Sequence, residues 1–120
     1  MDSIDPARII ATTTFTVEGY RIAEYLGIVR GVIVRAPTIS QSIFGGLKTV
    51  IGGQIQEYAS MCELTRQDAT VQMMQHAREL GANGVVGIGY DASEIGQSAT
   101  EVLCYGTAVR LEPVPRETGA

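Results

Sequence analysis

The spacing of apolar positions changes along the chain, and each change marks an expected element. Ile9 to Thr14 is a β-branched run closed by Glu18-Gly19, the pattern of a strand ending in a turn. Tyr20 to Arg35, YRIAEYLGIVRGVIVR, is the longest strand-like segment. Its even positions carry Ile22, Leu26, Ile28, Val32 and Val34, and its odd positions carry Tyr25, Val29 and Ile33. A strand with one face in water alternates cleanly. This one is apolar on both faces, so it is expected to be covered on both sides for at least part of its length. Gly27 and Gly31 within it point to a bulge or a close backbone neighbour.

Pro37-Thr38 ends that strand, and Thr38 or Ser40 can cap a short helix. Ile43, Phe44, Leu47, Val50 and Ile51 fall on one face of it, and Gly52-Gly53 stops it. A longer helix is predicted from Gln54 to Leu80, with Gly81 as its stop. GVVGIGYD and ATEVLCYGTAVRL then read as two strands joined through Ser93 to Ser98. The segment from Pro113, PVPRETGA, has little apolar content and is expected to be a flexible tail.

The order β-β-α-α-β-β, with no repeat or linker, predicts a single domain over 1–120. Its fold class is two-layer α+β, a short and a long helix on one face of a mainly antiparallel sheet. That arrangement leaves the other, apolar sheet face in water. A small soluble domain should not do so, and homo-oligomerisation through the sheet is the expected remedy.

Composition narrows the class of function. A net charge of −4 with no basic stripe argues against a nucleic-acid partner. The apolar runs are far shorter than the ~20 residues of a membrane-spanning helix, and MDSIDPARII lacks the basic and apolar regions of a secretory signal. No membrane partner and a cytoplasmic location are the expectation. Cys62 and Cys104 form no CxxC and no framework pattern, so both are expected as reduced thiols.

Several stretches resemble the YbjQ-like family of small prokaryotic proteins, labelled a heavy-metal-binding domain. They are TTTFTVEGYRIAEYLGIVRG, GLKTVIGG, RELGANGVVGIGYD and IGQSATEVLCYGTAVR, which together span about residues 10–111 in the family's order. The resemblance implies a compact α/β subunit assembling as a ring-shaped homopentamer, a biochemical role that is not established, and a soft or borderline metal ion as the ligand class. It also implies an apolar aliphatic where Cys62 stands and a glutamine where His76 stands, so the chain departs from the family pattern at both.

The segment MCELTRQDATVQMMQH concentrates soft ligands: three methionines, one cysteine and the only histidine. Helical geometry puts Ile55, Ala59, Cys62, Ala69, Met73, Ala77 and Leu80 on one stripe, with His76 at its margin. Cys62 and Met73 are then about 16 Å apart along the axis, too far to share an ion whose donors lie within about 2.0–2.3 Å. Met73 and His76, at i and i+3, could reach one ion, with Cys104 or a neighbouring subunit as the third donor. The spacing favours core packing, with a histidine that interacts with the carbonyl end of the helix.

Other motifs are weaker. GANGVVGIG follows a helix and opens a strand, the reverse of a dinucleotide loop, and GGLKT lacks the Gly-Lys-Ser/Thr of a P-loop. Nucleophilic catalysis would need His76 beside Cys104, and no motif of an enzyme is present. Glu24, Glu101, Asp91 and Glu94 read as solvated strand positions; in a cyclic oligomer they could also form acidic rings. Leu64 and Val71, with Met74 nearby, make the outer stripe of the long helix unusually apolar, a place where a protein partner could dock.

Overall fold

The computed structural model describes residues 8–35, 56–96 and 99–115, and the short helix expected over 38–51 lies outside them. The described elements are β1 (Ile10–Ala11), β2 (Tyr20–Arg35), α1 (Gln56–Glu79), β3 (Gly84–Ile95) and β4 (Ala99–Pro113). They form an α+β fold whose four-stranded sheet has the order β1-β3-β4-β2. The sheet is mixed. β4 pairs antiparallel with both long neighbours, while β1 pairs parallel with β3.

Strand β1 is shorter than its β-branched run predicts, and the threonines explain why. Thr14 N–H donates to Thr12 Oγ1 at 3.1 Å, and the two hydroxyls lie 2.8 Å apart. These local bonds offer the backbone an alternative to the ladder, and the chain bends after Ala11. It still covers the edge of β3, because Gly87 N–H donates to Thr14 O and Ile88 N–H to Thr12 O. At the other end of the sheet β3 runs to Ile95, so the connection to β4 is shorter than the expected Ser93–Ser98 loop and turns through Gly96 at φ 64°. Strand β4 runs through Pro113, and Val114 N–H donates to Gly19 O at 2.9 Å. The first two residues of the expected tail are thereby held.

Helix α1 ends as its sequence predicts. Gly81 at φ 81° lets its own N–H reach Arg78 O, while Ala82 N–H reaches Ala77 O. This is a Schellman cap, completed by Ala77 and Ala82 meeting in one apolar cluster. The cap also corrects one expectation. Leu80 follows the last helical residue and turns outward, so it is exposed rather than part of the buried stripe.

Thr65, Ala69, Met73 and Ala77 form the buried stripe of α1, four residues apart along one face. Ala69, Met73 and Ala77 pack with Val29 and Ile33 of β2, Val102, Cys104 and Ala108 of β4, and Val85 of β3. The alternate residues of β4, Val109 and Leu111, belong to a second cluster with Val86, Ile10, Val17, Tyr20 and Ile22. Because successive strand residues point to opposite faces, this smaller cluster lies on the face away from α1. The turn region before β2 covers it.

Strand β2 does not keep one parity throughout. Its register against β4 shifts between Ile22 and Glu24 and again between Tyr25 and Gly27, where φ reaches 117°. Each shift inserts an unpaired residue and swaps faces. Leu26 therefore packs against the helix-side cluster with odd-numbered Val29 and Ile33. Gly31, also odd, is the close-approach glycine. A Cβ there would collide with the carbonyl of Ala69 and lie 2.8 Å from the backbone nitrogen of Met73.

Candidate functional site

The site begins with one row across the sheet. Gly31 of β2 is opposite Cys104 of β4, and Cys104 is opposite Tyr90 of β3. All three face α1, and their sizes follow the gap beneath it. The helix backbone rests on Gly31, the Met73 side chain covers Cys104, and Thr70 reaches Tyr90.

Cys104 and Met73 are both fully buried, and the thiol of Cys104 donates toward Met73 Sδ at an S–S distance of 3.5 Å. Thr70 Oγ1 donates to Arg66 O at 2.8 Å, which uses its one proton. The Tyr90 hydroxyl, 2.8 Å away, therefore donates to Thr70. Thr70 Oγ1 lies 3.9 Å from Cys104 Sγ. Burial pushes the Cys104 thiol above its ordinary value of 9.0, against smaller lowering by hydrogen bonds with Thr70 and Tyr90. The group is a neutral thiol at neutral pH, which is the wrong form for a nucleophile.

Thr70 and Tyr90 also line a surface cavity of about 530 Å³ with Glu63, Arg66, Gln67 and Val71. The hydrogen-bonded pair separates that cavity from the sulfur atoms below. Sequence reasoning did not single out Thr70 or Tyr90. A threonine inside a helix and a tyrosine in a strand are ordinary, and only the pairing of Tyr90 with Cys104 gives them a place.

The other candidates go elsewhere. His76 is half-buried, and its Nδ1 accepts the N–H of Arg30 at 3.4 Å. His76 stands in the last turn of α1, as the sequence suggests, and its Nδ1 also faces the outer edge of β2, where α1 lies along the strand. Gln72, one turn earlier, accepts the N–H of Val32 at 2.6 Å. Cys62 is a half-buried free thiol. The structure thus brings Met73 to Cys104 and turns the His76 acceptor toward β2. Among the described residues no group of three or more His, Cys, Asp or Glu could hold a metal ion. Among the described residues the donors of a tetrahedral zinc site are therefore not assembled, and Met73 with Cys104 brings together two soft sulfurs only.

Of the carboxylates, Asp91 and Glu101 lie on the sheet face away from α1, with Leu103 and Ser93 as their cross-strand partners. Glu24 is opposite Arg110 near the bulges of β2. Among the described residues no helix is long and apolar enough to cross a membrane.

Compared with known proteins, residues 9–112 match the YbjQ-like family model, described as "Putative heavy-metal-binding". The chain belongs to this family. A UPF0145 protein of Legionella pneumophila strain Lens is 55% identical over 101 residues, covering 84% of this chain and 96% of the relative. A UPF0145 protein of Chromobacterium violaceum is 49% identical over 109 residues, covering 91% of this chain and 92% of the relative. A solved structure from Pediococcus pentosaceus, of a protein with unknown function in the DUF74 family, superposes with a TM-score of 0.59. It covers 87% of this chain and 98% of its own, and at 19% identity it bears on the fold alone. YbjQ-like relatives therefore share nearly the full length of this chain.

Proposed function

We propose that this YbjQ-like chain acts as a non-catalytic cytoplasmic subunit of a homo-oligomeric ring. The observation that carries the reading is the sheet face opposite α1. Ile28, Val32, Val34 and Tyr105 line it, are 73, 37, 56 and 41% exposed, and are joined by Leu103. A second copy is the occupant that best matches a long, ordered and apolar strand surface. The two outer edges of the sheet are unlike each other, β2 on one side and β1 with β3 on the other. Because α1 closes the β2 edge, the apolar face of one copy would meet a different surface of the next, a heterologous contact that closes into a ring when the rotation permits. Five copies is the number that the family resemblance implies.

Light scattering on the wild-type chain is expected to give a closed oligomer, and Val32→Glu with Ile28→Glu is expected to give monomer or a smaller species. A stable wild-type monomer would remove the reading. A second reading, docking of a protein partner, rests on Leu64 and Val71, which are exposed on the outer side of α1. Replacing both by glutamate would then abolish partner capture while leaving the assembly intact.

A further inference from the structure

The edges of the sheet are protected in different ways, and the protection stops at one place. Gln72 and His76 of α1 cap the edge of β2 at Val32 and Arg30, and the bulges break up its first part. On the opposite edge, β1 and the threonine turn occupy the carbonyl of Val85 and the N–H groups of Gly87 and Ile88. Beyond Ile88 nothing of this kind continues. Tyr90 to Ile95 are all exposed, and among the described residues β4 is the only strand that pairs with them. Because Ile88 donates its N–H on the outer side, strand alternation puts the N–H and C=O of Tyr90, Ala92 and Glu94 on that side too. Tyr90 to Glu94 is about 13 Å of strand edge at ~3.3 Å per residue.

This edge is also one wall of a groove. The cavity of about 530 Å³ has Tyr90 on its strand side and Glu63, Arg66, Gln67, Thr70 and Val71 on its helix side. The hydrogen bond between Tyr90 and Thr70 fixes its floor. Tyr90 and Val71 are 48 and 65% exposed and give it apolar surface. A strand edge with a helix alongside is the geometry in which an extended peptide adds as a further strand. Backbone bonds to the edge supply affinity, and every second side chain of the peptide enters the groove. The opposite face of the same edge is acidic, with Asp91 on β3 and Glu101 behind it on β4.

We infer that the edge from Tyr90 to Glu94 accepts, as an added strand, an extended partner segment in which apolar and basic residues alternate. Its apolar side chains lie in the groove against Tyr90 and Val71, and its basic side chains lie on the other face beside Asp91 and Glu101. This rests on the partner-docking reading of Leu64 and Val71, and it names the form and charge of the partner.

The test titrates the full chain into a fluorescent peptide of about eight residues, alternating valine and lysine, followed by anisotropy. Saturable binding of one peptide per chain is expected, and a peptide alternating valine and glutamate should bind at least about tenfold more weakly. Methylating the backbone nitrogens of the valine–lysine peptide keeps every side chain and should abolish binding. Ala92→Pro removes an outward N–H but not the ladder to β4, and should weaken binding by about tenfold. Asp91→Asn leaves the backbone untouched and should weaken binding severalfold while lessening its salt dependence. Absence of saturable binding would overturn the added strand. So would binding that survives methylation, or that is unchanged in folded Ala92→Pro and Asp91→Asn. Loss of the wild-type oligomer in Ala92→Pro, seen by light scattering, would give the edge to a second copy and overturn the proposal too. The docking reading fails separately, when Leu64→Glu with Val71→Glu leaves partner capture intact.

Discussion

Gly31 shows how one missing side chain sets the distance between two layers. With no Cβ, β2 lets the carbonyl of Ala69 and the nitrogen of Met73 rest on its backbone. Those atoms belong to a hydrogen-bonded helix and cannot rotate away. Gly31→Ala is therefore expected to destabilise the chain by about 3 kcal/mol, the upper part of the overpacking range, measured by denaturant unfolding. The same close approach puts Met73 on Cys104. Because the folded chain raises the Cys104 thiol above 9.0, the folded state holds that proton more tightly than the unfolded one. Its contribution is complete at neutral pH and is lost as pH climbs through the raised value. Wild type should lose more stability above pH 9.0 than Cys104→Val does, as judged by paired urea melts across that range.

At the scale of elements, α1 and β2 meet along an edge as well as a face. Gln72 and His76 are one helical turn apart, about 6 Å, and Val32 and Arg30 are two strand residues apart, about 6.7 Å. The near match lets consecutive turns of α1 cap alternate N–H groups of an edge strand. The Arg35–Asp68 ion pair continues the same line at 2.6 Å. Its partners are about half exposed, so it adds little stability and mainly fixes register. Gln72→Ala is expected to cost about 1 kcal/mol and to speed amide hydrogen exchange at Val32, while leaving Val29 protected. Unchanged exchange at Val32 would show that the edge is not closed by the helix. This use of His76 also explains why a histidine among methionines is not automatically a ligand: its Nδ1 is already an acceptor in the fold.

At the scale of the whole molecule, the decisive asymmetry among the described residues is one helix against a sheet with two apolar faces. The Val109 and Leu111 end of the far face is covered by the chain's own turn, whereas Ile28, Val32 and Val34 remain open. That division makes the Val32→Glu and Ile28→Glu pair a test of assembly rather than of folding, because both positions are exposed in the single chain. Much of this was legible locally. Period and punctuation determined the element order of the described residues, the Gly81 stop, the buried Ala69–Met73–Ala77 stripe and the two-sided apolar character of β2, because each depends on neighbours within a few turns or strand steps. Cys104 meeting Met73 across 31 positions, His76 meeting Arg30 across 46, and the bulges that move Leu26 to the helix side were decided only by the tertiary structure. Strand register and helix placement are set by pairing between distant segments, and a register shift of one residue would turn Cys104 or Leu26 to the opposite face.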